Sequence, residues 1–293
     1  MNDATVTPRT DQTIHLPGGP TGILLAHGLG GTPVELAFVA RGLARAGYTV
    51  HCPQLAGHCG SEADLVATRW QDWSASLSAG LERLRRDCDV VLVGGLSMGA
   101  LLGLHLATQQ PDAVDGLVLL APTLWFDGWS LPWASFLLRA FIATPIAKRY
   151  KFVERHPYGI KDDRVRALIA KAMELGQSQD AGLLATPSAA LRQMWLLVDA
   201  VKRELKSIRA PALIIHPRED DISSLANTFY LQKRLGGLVE TLVLDDSYHL
   251  VTLDRQRDLV IERTASFAAW TADRARKGGR AHPAVAGARV TAA

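Results

Sequence analysis

Short, unbroken apolar runs recur along the chain and set its rhythm. GILLAH (22–27), YTVHC (48–52), VVLVG (90–94), GLVLLA (116–121), ALIIH (212–216) and TLVL (241–244) are rich in Val, Ile and Leu. Runs that are continuous rather than alternating predict strands buried on both faces. Between them the apolar spacing changes to three and four. Residues 70–86 carry Trp73, Leu77, Leu81 and Leu84 along one helical face. Residues 33–46 open with Thr32-Pro33, an N-cap residue followed by a first-turn proline. Residues 98–109 and 256–270 also read as helices. Strand and helix in alternation predict an α/β fold with a mostly parallel central sheet and helices on both faces.

One stretch breaks the rhythm. Residues 123–207 are helical in flavour, offer no clear strand, and begin with Trp125, Phe126, Trp129, Trp133, Phe136 and Phe141. They read as a helical cap inserted over the sheet. Trp125, Trp129 and Trp133 are spaced by four, so a helix would place them on one face, where they are expected to line the substrate site. The organisation expected is therefore a flexible tail at 1–13, a core built from 14–122 and 208–272, the cap at 123–207, and a disordered basic tail at 273–293.

Charge refines this picture. The 293 residues contain 32 Lys and Arg against 29 Asp and Glu, a net +3. From residue 271 onward there are five basic residues (Arg274, Arg276, Lys277, Arg280, Arg289) and one acid (Asp273), so the rest carries about −1. A near-neutral body gives no footprint for nucleic acid. The first dozen residues are polar where a secretory signal would be apolar, and no uncharged run approaches the roughly 20 residues that span a bilayer. The three cysteines, Cys52, Cys59 and Cys88, are too few and too oddly spaced for a disulfide framework. A cytoplasmic location is expected.

The chemistry lies in Gly95-Leu96-Ser97-Met98-Gly99. A bare G-x-S-x-G arises by chance, and an ordinary glycine-rich turn is the plain alternative. Here a strand precedes the motif and a helix follows, which is the setting of a nucleophile elbow. A serine hydroxyl needs a base to take its proton, and the base needs a carboxylate to orient it. In this topology the order is Ser, acid, His. The 241–244 run leads into Asp245-Asp246-Ser247-Tyr248-His249, making His249 the expected base. The 212–216 run leads into Pro217-Arg218-Glu219-Asp220-Asp221-Ile222. Asp220 is favoured as the acid for its place ahead of Ile222, with Asp221 as runner-up. Acyl transfer also needs two donors at the oxyanion. Met98 N–H, directly after the nucleophile, and Leu29 N–H, in the close-approaching His27-Gly28-Leu29-Gly30-Gly31 loop, are the candidates.

The remaining histidines read as structural or solvated: His105 in a helix, His216 at a strand end, His15, His156 and His282 in loops or tails. His51-Cys52 and His58-Cys59 cluster in nine positions but do not match zinc spacings, so no metal is expected.

HGLGGTP (27–33), PQLAGHCGS (53–61), RWQDW (69–73), GLSMG (95–99), PREDDI (217–222) and SYHLVTLD (247–254) together resemble the bacterial carboxylesterases related to monoacylglycerol lipases, within the α/β-hydrolase superfamily. The resemblance spans nearly the whole predicted core. It implies the α/β-hydrolase fold, Ser97, Asp220 and His249 as the catalytic residues, Leu29 and Met98 as oxyanion donors, no cofactor, and a small-molecule or lipid-like ester as substrate. It also makes Gly57-His58 part of a structural loop. Cys59 departs from the glycine common there, the tryptophan-rich insertion is longer than the cap of the small esterases, and the basic tail has no counterpart.

The expected activity is hydrolysis of carboxylic esters through an acyl-enzyme. A thioesterase, an amidase or a carbon–carbon hydrolase would use the same triad, and a hydrolase-like binding protein would use none of it. Serine at the nucleophile position speaks against dehalogenase and epoxide-hydrolase chemistry, where an aspartate is expected.

Overall fold

The computed structural model describes residues 11–132, 137–142, 144, 147, 150–153, 155–174, 182–183 and 185–278. Trp133 lies outside the described residues, as do 1–10 and 279–293.

Six of the strands are those the apolar runs predict, within two or three residues at either end: β2 (Thr21–Ala26), β3 (Thr49–Cys52), β4 (Val90–Leu96), β5 (Gly116–Leu120), β8 (Ala212–Pro217) and β9 (Val239–Leu244). A seventh, β1 (Ile14–Leu16), has no apolar run behind it. It pairs antiparallel with β3, setting His15 opposite His51, so His15 belongs to the sheet and not to a tail. The order is β1-β3-β2-β4-β5-β8-β9, parallel apart from β1. Residues 12–13 are also held, since Gln12 N–H donates to Gln54 Oε1 at 2.9 Å and Thr13 Oγ1 accepts from Gln54 N at 3.0 Å.

Side chains alternate across the buried strands into two apolar layers. Leu24, Val91, Val93 and Leu117 face one set of helices; Ile23, Leu25, Leu92 and Val118 face the other. The helix Arg257–Lys277 covers the second layer. It runs five residues past the expected end of the core, because Ala272 and Ala275 continue its buried small-residue face. Arg274, Arg276 and Lys277 in its last turn suit the negative end of the helix dipole.

The helix Met98–Gln109 is apolar all round, nine of its positions being buried. The sheet takes one side. The other is covered by the insertion's long helix Ser188–Glu204, whose Leu191, Met194, Leu197 and Val198 belong to the same core.

Two expectations for 123–207 need correction. Two short strands, β6 (Lys151–Val153) and β7 (Ala185–Pro187), pair antiparallel there. They are three residues long and partly exposed, so no apolar run marks them. And residues 123–132 form turns and extended chain, not a helix, so Trp125 and Trp129 do not share a helical face. The reason is a set of long-range bonds. Asn227 Oδ1 accepts from Leu124 N at 2.8 Å and Trp125 N at 3.1 Å. Gly128 N–H donates to Ile222 O at 2.9 Å, and Ser130 Oγ to Asp221 O at 2.7 Å. Asp127 accepts from Ser224 N and Oγ at 2.8 and 2.7 Å. Backbone groups that a helix would pair internally are paired with residues 221–227 instead, in the loop after β8 and the first turn of the helix Leu225–Arg234. A β-carbon on Gly128 would lie 2.2 Å from the Asp221 carbonyl carbon, so only glycine allows this approach.

Candidate active site

Ser97 stands where β4 ends and the helix Met98–Gln109 begins, with φ 55° and ψ −112°. Such a conformation costs a non-glycine residue about 1–3 kcal/mol and persists only where the surroundings impose it. They do so here. Ser97 N–H donates to Leu120 O on the neighbouring strand at 2.8 Å. A β-carbon at Gly95 or Gly99 would fall 2.0 Å from Ala26 O, so the turn packs against β2 only because both are glycine. Ser97 is partly buried, and its hydroxyl donates to Thr123 Oγ1 at 3.1 Å.

The glycine loop after β2 borders this serine: a β-carbon on Gly28 would lie 3.9 Å from Ser97 Cβ. Glu35 secures the loop, its carboxylate accepting the Gly28 N–H at 2.5 Å. Among the described residues the Leu29 N–H has no hydrogen-bond partner. Met98 opens its helix, where an N–H has no partner within the helix. Among the described residues the Leu29 and Met98 N–H groups thus both lack a hydrogen-bond acceptor, one next to Gly28, which borders the serine, and the other directly after it.

His249 and Asp220 meet in the loops after β9 and β8. His249 Nδ1 lies 2.8 Å from Asp220 Oδ2 and 3.0 Å from Oδ1. Asp220 also accepts from Ile222 N and Ser223 N, both at 2.8 Å. His216 Nε2 lies 3.3 Å from Asp220 Oδ2 while bonding Ser223 O at 2.8 Å. Burial alone would raise the Asp220 carboxyl, but the facing His249 and hydrogen bonds from His216 and His249 hold it well below the usual carboxylate range. Burial pulls the His249 imidazole down; Asp220's charge and hydrogen bond, helped by Asp221 and Glu35, leave it above its ordinary value.

Asp221 faces elsewhere. Its carboxylate accepts His249 N at 3.2 Å and Gly159 N at 3.1 Å, tying the histidine loop to the insertion. Burial and the neighbouring Asp220 charge raise its pKa, against the pull of His249. Of the two adjacent acids, only Asp220 touches the imidazole.

The tryptophans diverge. Trp125 packs edge-on against Tyr230, with Lys202 Nζ 4.8 Å from its ring. Trp129 is 57% exposed, donates Nε1 to Glu219 O at 2.9 Å, and meets Tyr248 edge-on. Trp129 therefore sits beside the acid and histidine loops, and Trp125 does not. Sequence reasoning passed over Thr123, Ser223 and Glu35 and read His216 as structural or solvated; all four are buried or partly buried around the site. Glu35 alone left a trace, four residues after the glycine loop. Burial pushes the Cys52 and Cys59 thiols up to about 12. Among the described residues no helix is long and apolar enough to cross a membrane.

A serine on a strained strand-to-helix turn, at the same edge of a parallel sheet as a buried Asp–His pair, defines the class: an α/β hydrolase. Within that class, the chain belongs to the Hydrolase_4 family (serine aminopeptidase, S33), whose profile matches residues 21–256. It is 31% identical over 250 residues to the thermostable monoacylglycerol lipase of Bacillus sp. (strain H-257), covering 85% of this chain and 90% of that one. It is 26% identical over 254 residues to the carboxylesterase of Bacillus subtilis (strain 168), covering 85% and 93%. A solved structure from the metagenome-derived lipolytic enzymes LipS and LipT superposes with a TM-score of 0.76 at 28% identity, covering 90% of this chain and 99% of the other.

Proposed function

We propose that the protein is a serine carboxylesterase acting on monoacylglycerol-like or short-to-medium acyl esters. Ser97 is the nucleophile, His249 the base, and Asp220 the group that fixes the imidazole tautomer and stabilises its cation. His249 takes the Ser97 proton as Oγ attacks the ester carbonyl. The N–H groups of Leu29 and Met98 hold the oxyanion. The tetrahedral intermediate collapses, the alcohol leaves with the proton from His249, and water activated by the same histidine cleaves the acyl-enzyme. No cofactor enters the scheme.

The observation that carries this reading is the strained Ser97 turn at the same sheet edge as the buried His249–Asp220 pair. The similarity to a monoacylglycerol lipase and a carboxylesterase supports the ester as substrate class. The test is labelling with a fluorophosphonate, followed by rates on p-nitrophenyl esters and monoacylglycerols of increasing chain length, with matched thioesters and amides. Label on Ser97 and faster turnover of esters than of either analogue is the expected result. Label elsewhere, or a preference for thioester or amide, overturns it.

A further inference from the structure

Ser97 has one hydroxyl proton, and in the free protein it is given to Thr123 Oγ1, 3.1 Å away. Thr123 is fully buried, and its own oxygen is held from two further sides: Ala121 O lies at 3.1 Å and Ser223 Oγ at 3.0 Å. Ser223 is also fully buried; its N–H donates to Asp220 Oδ1 at 2.8 Å, and its Oγ lies 3.5 Å from Asp220 Oδ2. A row of three hydroxyls thus runs from the nucleophile to the carboxylate that orients the base, along a path that bypasses the imidazole. Thr123 cannot follow the serine if it turns. Its β-branched side chain is stiff about χ1, and the backbone beneath it is set by Ala121 at φ 42°.

From this geometry we propose that Thr123 is a positioning residue that holds the Ser97 hydroxyl in a resting orientation, released when bound substrate turns the proton towards His249. The proposal rests on Ser97 being the nucleophile. A single hydroxyl cannot donate to Thr123 and to His249 Nε2 at once, so the two orientations compete. Steps counted from the free enzyme carry the cost of leaving Thr123. Steps counted from the substrate complex do not, because substrate has already turned the serine.

Thr123→Val removes the accepting oxygen and keeps the shape. Losing one hydrogen bond from the resting state raises the second-order rate of fluorophosphonate labelling and lowers KM, each by roughly two- to tenfold, with kcat unchanged. Thr123→Ser, which keeps the hydroxyl, restores both. A Thr123→Val protein that labels no faster than wild type, or that loses kcat and thermal stability together, overturns the proposal and makes Thr123 a packing residue. A second measurement needs no change at Thr123: titration of the His249 ring by NMR in wild type and Ser97→Ala. Asp220, Asp221 and Glu35, the charges that face this imidazole, are the same in both proteins. If the serine rests on Thr123, its removal leaves the His249 midpoint where it was. If it already donates to the imidazole, Ser97→Ala raises that midpoint, and the proposal fails. Label found elsewhere than on Ser97 would instead remove the nucleophile assignment on which the proposal rests.

Discussion

The loops leaving β4 and β5 start side by side at the same edge of the sheet and are held in opposite ways. The β4 loop is a tight turn whose shape is dictated within a few residues by Gly95, Ser97 and Gly99 pressed against the end of β2. The β5 loop is a long segment whose shape is dictated by residues about a hundred positions away, through Asn227, Ser224 and the carbonyls of Asp221 and Ile222. The first carries the proposed nucleophile. The second straps the acid loop in place. Local sterics make the first legible in a motif, and remote pairing hides the second.

If this division is right, substitutions in the first loop and its partners remove chemistry, and those in the second, Thr123 with its bond to Ser97 apart, remove stability. Ser97→Ala is expected to abolish turnover, by about 10⁴–10⁶-fold, with an unchanged melting curve. Substantial activity in a folded Ser97→Ala protein would break the comparison outright. Next in size, Asp220→Asn should lower kcat by about 10⁴-fold, since it keeps shape but loses the charge on the imidazole. Asp221→Asn should cost far less activity and instead lower Tm by several degrees, because two N–H groups then compete for one acceptor. The reverse ranking would exchange the roles of the two acids.

The pH profile sharpens the same point. In the proposed mechanism the working imidazole is neutral, and His249 is held above its ordinary value of 6.5, so kcat/KM should climb with pH through a midpoint above 6.5. In Asp220→Asn, whose charge is the chief raising influence, the midpoint of the residual activity should move down. Strap substitutions should leave it still. Asn227→Ala, which frees the backbone of Leu124 and Trp125, is expected to cost about 1–3 kcal/mol of stability and to open residues 123–132 to proteolysis. The smallest effect is expected at Trp129, whose ring lies over Tyr248 beside the histidine loop. Trp129→Ala should reduce the gain from acetyl to medium-chain esters by less than about tenfold, a few methylenes' worth of apolar contact. Equal loss at every chain length would make that ring part of the strap.

Legibility followed the same line. The apolar runs located six strands of the main sheet and the residues where their loops begin, which is enough to place Ser97, His249 and the three-acid loop. The run Met98–Gln109 matched the observed helix residue for residue, because its neighbours in sequence supply its signal. β1, β6 and β7 escaped notice, being three residues each and stabilised by partners distant in the chain. The tryptophan spacing of four suggested a helix, and bonds to Asn227 and the acid loop overrode it. Thr123, Ser223 and His216 carry no motif at all: each gains its meaning only when β5 and β8 lie adjacent.

The all-apolar helix Met98–Gln109 has a consequence for how the chain is made. Its outer face is closed by Ser188–Glu204, which is translated some 80 residues later. At synthesis rates of about 5–20 residues per second, that face waits on the order of ten seconds for its cover. During that interval the nascent protein presents an uncovered apolar segment to its neighbours. Shortening or swapping the insertion would prolong the exposure indefinitely, and the cost would be read in yield and aggregation before any change in turnover could be measured.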